Sequence, residues 1–389
     1  MTTKERFLTA LKRQKPDRLP VTTHHIMSIF LDEYFGGKNK DEFFDYFGLD
    51  PIAWEMAYAF NPDTGEYFDP THHPALNGLG FLDPHRICSD NWRFRIEESF
   101  DQVYQKQRFI IQTPKGDLSM MLWTDKHSTW VVEHLIKEKK DIEWIAEYMT
   151  YPVCDVPVVN KRADAWGQRG LFRGHILPFD GFGQPGCWQD AACIVGIEKL
   201  IMATFDDPQW VHELLSILQK RKLHYVKSLK GAKYDLLELG GGDASTTVIS
   251  PDIFNEFVAP YDAAIIAAAH EAGQRVVYHT CGGMMPILED IAAMKPDAME
   301  TFTPHSMGGD VNLAEAKRRI GDKICIIGGF DQFHFFTGCT PEETRREVRR
   351  CFEAAGAGGG FILSPSDHFF EADIKLLEAF ADEARKCIY

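Results

Sequence analysis

From about residue 170 onward, short β-rich runs alternate with longer segments of helical period, and this alternation restricts the fold more than any other feature of the chain. The runs are Leu171 to Ile176, Tyr234 to Leu239, Arg275 to His279, Asp297 to Thr301, Lys323 to Ile327 and Gly359 to Leu363. Between the later ones, Pro251 to Ala272, Met285 to Met294, Asn312 to Ile320 and Pro341 to Ala355 have the length and spacing of helices. Such alternation implies a parallel sheet. Two earlier units, Arg18 to Thr23 and Pro51 to Trp54, bring the strand number to that of a closed (β/α)8 barrel. The expected architecture is therefore a single α/β domain, a TIM barrel over residues 1–389 with an N-terminal helical extension. An open doubly wound sheet is the rival, but no Gly-x-Gly-x-x-Gly follows an early strand.

Residues 91–122 read differently. Trp92 to Ile96 and Phe109 to Ile111 are separated by polar residues, and Thr113-Pro114-Lys115-Gly116-Asp117 is a turn signal. The expectation is a β-hairpin inserted over the barrel mouth, followed by a helix from Asp141 to Tyr148 that leads back into the barrel. A formal charge of −15 argues against a nucleic-acid partner, which needs basic surface. Met1 to Arg6 is polar and enters an amphipathic helix rather than a signal region, and no run approaches the length of a membrane span. Nine cysteines without paired spacing do not form a disulfide framework, so a reducing cytoplasm is the expected setting.

In a barrel, chemistry gathers where strands end and βα loops begin. Those ends carry Arg173 and His175, then Glu238 before Gly240-Gly241-Gly242-Asp243, then His279 and Cys281, then Glu300, then Gly328-Gly329 with Asp331, and finally Ser364-Pro365-Ser366-Asp367-His368. His279 and Cys281 lie two apart on a strand and point the same way, so they can offer a nitrogen and a sulfur to one ion, or form an ordinary core pair. A mixed N/S/O set of His279, Cys281 and Glu300 suits Zn2+ better than Mg2+ or Ca2+. Glu300 read blandly is a salt-bridged barrel carboxylate. Asp367 or His368 could complete the set.

Glu238 and Asp243 flank a loop whose glycines admit a ligand close to backbone or simply make a tight turn. Both are candidates for substrate hydrogen bonding or proton transfer. His175, with Asp180 nearby, is either a substrate-orienting group or a satisfied histidine. His24 and His25 end the first strand, and a regular strand turns one of them inward.

Asp17-Arg18-Leu19-Pro20, Ile249-Ser250-Pro251 with Pro260-Tyr261, His279-x-Cys281-Gly282 and Gly359-Gly360-Phe361-Ile362-Leu363-Ser364-Pro365 together resemble the uroporphyrinogen decarboxylase superfamily. The resemblance spans most of the chain and is strongest from Tyr234 to His368. It implies a (β/α)8 barrel and either of two activities, decarboxylation or zinc-dependent methyl transfer with corrinoid proteins. The decarboxylase branch carries an arginine-rich N-terminal motif, whereas the matching stretch here, Val21-Thr22-Thr23-His24-His25-Ile26-Met27, has no arginine. The methyltransferase branch is the better match. Its zinc sites correspond to His279, Cys281 and Asp367, and similarity to cobalamin-independent methionine synthase adds Glu300. Where such enzymes carry a final cysteine this chain has Asp367, a harder ligand that favours a Lewis-acid role.

What the resemblance then implies is an O-demethylase methyltransferase. It would move a methyl group from a methyl ether, aryl ethers included, to the Co(I) of a separate corrinoid protein, with Zn2+ at His279, Cys281, Glu300 and Asp367. Glu238, Asp243 or His175 would serve substrate and proton. The chain has no Asp-x-His-x-x-Gly corrinoid motif, so cobalamin would arrive on a partner docking near the 91–122 insertion. The alternatives are methyl transfer from a methylcorrinoid protein to a thiol or pterin, a metal-independent decarboxylase, and a non-catalytic corrinoid-binding partner. The oligomeric state is open, a homodimer included.

Overall fold

The computed structural model describes residues 1–72 and 85–389. Seven strands form one parallel sheet in the order Ile52–Trp54, Leu171–His175, Leu236–Gly240, Val276–Thr280, Ala298–Thr301, Cys325–Phe330 and Phe361–Pro365. The segment at Val21 fills the gap between the last strand and the first. It makes a parallel bridge to Leu363, and on its other side the Asp50 N–H donates to the Val21 carbonyl at 2.7 Å. The sheet thus closes as an eight-membered (β/α)8 barrel.

The first member is shorter than the Arg18 to Thr23 run expected from the sequence, for two reasons. Pro20 has no N–H to give to a ladder. The Val21 N–H goes to the Asp50 carboxylate at 2.9 Å, which also pairs with Arg6 and Arg18 at 2.9 and 2.8 Å.

The helices of the second half fall where periodicity put them, with one interruption. Between Pro251–Ile253 and Ala259–Glu271 the chain makes a π-turn at Phe254–Val258, just ahead of Pro260. A proline inside a helix cannot donate to the preceding turn, and a wider turn absorbs the gap. Three helices not assigned from the sequence, Cys187–Val195, Ile197–Asp206 and Pro208–Ser228, occupy the long connection after Leu171–His175.

The helix Thr3–Leu11 starts with a capping box between Thr2 and Glu5. It buries Phe7, Ala10 and Leu11 against Ile52, Leu171, Leu236, Val277, Ala298, Cys325, Ile327 and Ile362, the inward side chains at the N-terminal end of the strands. One end of the barrel is therefore plugged with hydrocarbon. Among the described residues no helix is long and apolar enough to cross a membrane.

The expected hairpin is larger than its sequence signal. It is a four-stranded antiparallel sheet of Arg93–Phe100, Gln105–Thr113, Gly116–Thr124 and Thr129–Glu133. The last strand is short and begins after the tight Asp125 to Ser128 turn, so it carried little periodicity. Phe109 and Met120 of this sheet lie against Gly181, in the loop after Leu171–His175. His127, in the Asp125 to Ser128 turn, packs edge-on to Phe370 with ring centres 5.2 Å apart. The helix Asp141–Tyr148 follows, with the bounds its sequence suggested.

Candidate functional site

Inward side chains at the C-terminal end of the barrel are polar, and four of them converge. His24, Glu238, His279 and Glu300 each present a ligand-capable atom, and these atoms all lie within 4.8 Å of one another. Strand register explains the convergence. His279 is the direct partner of Glu300 on the next strand, and Glu238 pairs with Val277, two residues before His279 on the same face. His24 enters from the segment just past the Val21 bridge. Its imidazole stacks on that of His279 with ring centres 5.1 Å apart, and its carbonyl accepts from the Trp54 indole at 3.2 Å.

The cluster is tightly charged. His24 places Nε2 3.5 Å from Glu238 Oε2 and Nδ1 3.5 Å from Glu300 Oε2. His279 Nδ1 stands 3.4 Å from Glu300 Oε1 and 3.9 Å from Glu238 Oε1. Arg173, two residues before His175, reaches both carboxylates. Its Nη1 donates to Glu300 Oε2 at 3.1 Å, and its Nη2 to Glu300 Oε1 at 2.8 Å and to Glu238 Oε2 at 3.1 Å.

These neighbours pull the two glutamates apart in acidity. Burial works to raise the Glu300 carboxyl, but Arg173 and His279 outweigh it and hold Glu300 ionised, well below the ordinary carboxylate range. Glu238 is pushed up to about 7, chiefly by burial, with Glu300 adding to the rise and His279 and Arg173 opposing it. His279 is held protonated despite its burial, by the Glu238 charge and hydrogen bonds with Cys281 and Glu300. Burial, reinforced by Arg173, lowers His24 far below the ordinary imidazole range and His175 to about 3, so both are neutral with lone pairs to offer.

Of the residues singled out from the sequence, Glu238, His279 and Glu300 meet in this cluster. Cys281 sits just beyond it at the same strand end. A Cβ on Gly242 would come within 2.7 Å of its sulfur, which is a concrete reason for glycine there. Gly240 at φ +106° is the turn glycine of the same loop, where a Cβ would collide with the His279 carbonyl. Asp367 accepts from the His368 backbone N–H at 2.8 Å and lies 3.1 Å from His368 Nδ1. The His368 ring is in turn 5.7 Å from that of His25. Asp367 thus belongs to a neighbouring group, and among the described residues the mutual set within 4.8 Å includes neither it nor Cys281.

His175 Nε2 is 3.9 Å from Glu238 Oε1, at the edge of the cluster. Asp243 is held by Gln189, whose amide donates to Oδ2 at 2.6 Å, and burial raises its carboxyl. Asp180 does not serve His175: it takes Arg221 Nη2 at 2.7 Å and the Trp92 indole at 3.3 Å. That ties the inserted sheet to the barrel. Two residues had no assigned role in the sequence reading, Arg173 and Trp54. The usable signal was the strand period itself, because Ile52-x-Trp54 and Leu171-x-Arg173 are inward pairs.

The donor set fits a divalent cation on its own terms. Both ring nitrogens of His24 and His175 Nε2 are buried without a hydrogen-bond partner, beside carboxylates. Leaving such groups unsatisfied is costly, and an ion bound by neutral imidazole and carboxylate would satisfy them. Two nitrogens and two oxygens, with a thiol at hand, suit zinc.

The family model described as Uroporphyrinogen decarboxylase (URO-D) matches residues 182–387. The chain is 30% identical over 172 residues to uroporphyrinogen decarboxylase of Pseudoalteromonas translucida, covering 43% of this chain and 45% of that protein. It is 30% identical over 184 residues to the same enzyme of Aliivibrio salmonicida, covering 46% and 47%. The chain spans about half the length of the curated relatives it matches. Among solved structures, a methyltransferase from Methanosarcina mazei superposes over 99% of both chains with a TM-score of 0.63 at 15% identity, a likeness of fold. With the closed barrel, and with the family model covering residues 182–387, the chain belongs to the uroporphyrinogen decarboxylase family.

Proposed function

We propose that this protein is a zinc-dependent methyltransferase that takes a methyl group from a methyl ether, aryl ethers included, and passes it to the Co(I) of a separate corrinoid protein. The observation that carries the reading is His24. The segment where the decarboxylase branch has arginines here supplies a buried, neutral imidazole with both nitrogens unpartnered, set between Glu238 and Glu300. His24, Glu238, His279 and Glu300 would hold the ion, His279 giving up its second proton as the ion binds, with Cys281 close enough to exchange in. When bound, it would supply Lewis-acid activation of the ether oxygen.

The chain's own residues account for the rest. Arg173 keeps Glu300 ionised. His24 and His175 are neutral and are therefore lone-pair donors, not acids. In the transfer the carbon–oxygen bond breaks, the methyl goes to cobalt's electron pair, and the leaving oxygen takes one proton. With Glu238 on the ion, the proton falls to Asp243 at the end of the same loop, whose carboxyl burial raises above the ordinary range. The corrinoid protein would dock over the mouth beside the four-stranded sheet.

Elemental analysis of the purified protein, followed by assay of methyl ethers with a Co(I) corrinoid protein, tests the reading. About one zinc per chain and ether-dependent formation of methylcobalamin are expected; metal-free, inactive protein would sink it. The second reading is a decarboxylase, favoured by the sequence matches to uroporphyrinogen decarboxylases. Against it, a substrate rich in carboxylates needs free cationic partners, and Arg173 is already bound to two glutamates. Release of CO2 from a porphyrinogen acid by metal-free protein would decide in its favour.

A further inference from the structure

A guanidinium cannot bind a metal, yet Arg173 donates hydrogen bonds to both carboxylates of the cluster, and its side chain is only 1% exposed. It engages Glu300 through two parallel hydrogen bonds and spends the second hydrogen of Nη2 on Glu238. That geometry fixes the rotation of the Glu300 carboxylate and the spacing between the two glutamates, which a point charge on a flexible stem could not do.

The guanidinium is itself immobilised. It lies over the Trp54 ring at 4.2 Å, and Trp54 meets His24 and His175 edge-on with ring centres 5.5 and 4.9 Å apart. Arg173 and Trp54 therefore form one platform that contacts Glu238, Glu300, His24 and His175, which come from four separate segments of the barrel wall.

Building on the metal reading above, we propose that Arg173 is the positioning residue of the cation site: its forked contact with Glu238 and Glu300 sets the affinity and the coordination geometry of the bound ion. Trp54 holds the fork in place. Charge alone is not the device, so a lysine at this position is expected to fail.

The test is zinc titration of the full-length protein by competition with a chromogenic chelator, and the visible spectrum of the Co2+-substituted protein, for wild type, Arg173→Lys and Arg173→Met. Trp54→Phe, which keeps an aromatic face, is the milder fourth protein. Removal of a group that orients metal ligands ordinarily costs about 10–100-fold in affinity. Both Arg173 variants are expected to bind zinc at least about 10-fold more weakly, with a changed Co2+ spectrum, and Trp54→Phe to show a smaller change in the same direction. Full rescue by Arg173→Lys, or unchanged or tighter binding by Arg173→Met, would overturn the inference while leaving the metal site standing. If both Arg173 variants fail to fold, Trp54→Phe decides by the same two readouts. No zinc binding by wild type removes the metal reading and this inference with it.

Discussion

Along the same strands, two residues apart and therefore on the same inward face, the barrel changes character completely. Ile52, Leu171, Leu236, Val277, Ala298 and Ile362 join the plug made by Phe7, Ala10 and Leu11. Two positions further on stand Trp54, Arg173, Glu238, His279, Glu300 and Ser364. The first layer is what a fold gains from burial, about 1.5–3 kcal/mol for each large aliphatic side chain. The second gives that gain up: buried ion pairs bring little net stability, because desolvation offsets their attraction. The lesson is a division of labour along a single strand, with stability at the N-terminal end and chemistry at the C-terminal end.

The largest break in that comparison is expected at the polar layer's function. A His279→Ala, Cys281→Ser double variant should lose its zinc and all methyl transfer while remaining folded, by metal analysis and circular dichroism. Retention of one zinc per chain would move the site away from the cluster. Next comes the apolar layer. Phe7→Ala empties a fully buried ring and should cost about 3–5 kcal/mol in urea unfolding, yet leave zinc affinity within a factor of about two, because the plug touches no ligand.

The outward face of the same strand sharpens the contrast. Tyr278, beside His279 but pointing away, has its hydroxyl 3.3 Å from Asp262 Oδ2. Burial raises the Asp262 carboxyl to about 6 from an ordinary 3.8, partly opposed by the Cys187 N–H, Lys222 and Tyr278. Because the folded value is the higher, the folded state binds more protons between these two values, and stability falls as pH rises through that window. A difference of roughly two pH units corresponds to about 3 kcal/mol at most. Asp262→Asn should therefore flatten the change in unfolding free energy between pH 4 and pH 7 and gain stability relative to wild type at pH 7. An unchanged pH profile would show that Asp262 ionises without cost. The smallest effect concerns His24→Gln. With no hydrogen bonds to lose from its ring, the metal-free variant should unfold within about 1 kcal/mol of wild type, while its zinc affinity falls.

Much of this was legible before the structure. The strands from Leu171 to Leu363 followed from period and alternation, and their ends yielded Glu238, His279 and Glu300 because a barrel has one chemical end. His279-x-Cys281 was legible as a pair on one face. What escaped is non-local. Asp367 was expected in one ligand set with His279; its carboxylate lies 3.1 Å from His368 Nδ1, and the His368 ring is 5.7 Å from that of His25, a pairing of the last loop with the first that no local pattern announces. One of His24 and His25 could be seen as facing inward, but not which, nor that His24 stands between two glutamates more than 200 positions away. The inserted sheet was read at half its size: the runs at Trp92 to Ile96 and Phe109 to Ile111 mark Arg93–Phe100 and Gln105–Thr113, whereas Thr129–Glu133 is only five residues long and lies beyond the expected end of the insertion.

The sequence by itself determined the barrel, its family and the residue types at its chemical end, because strand period and parallel connection are local properties that a chain writes plainly. Only the tertiary structure decided which of those residues share one site. Ligand convergence depends on strand stagger around a closed sheet and on the path of each loop. Arg173 shows this best: alone in the sequence it is one inward arginine, and only closure of the barrel brings Glu238 and Glu300 to the two arms of its guanidinium.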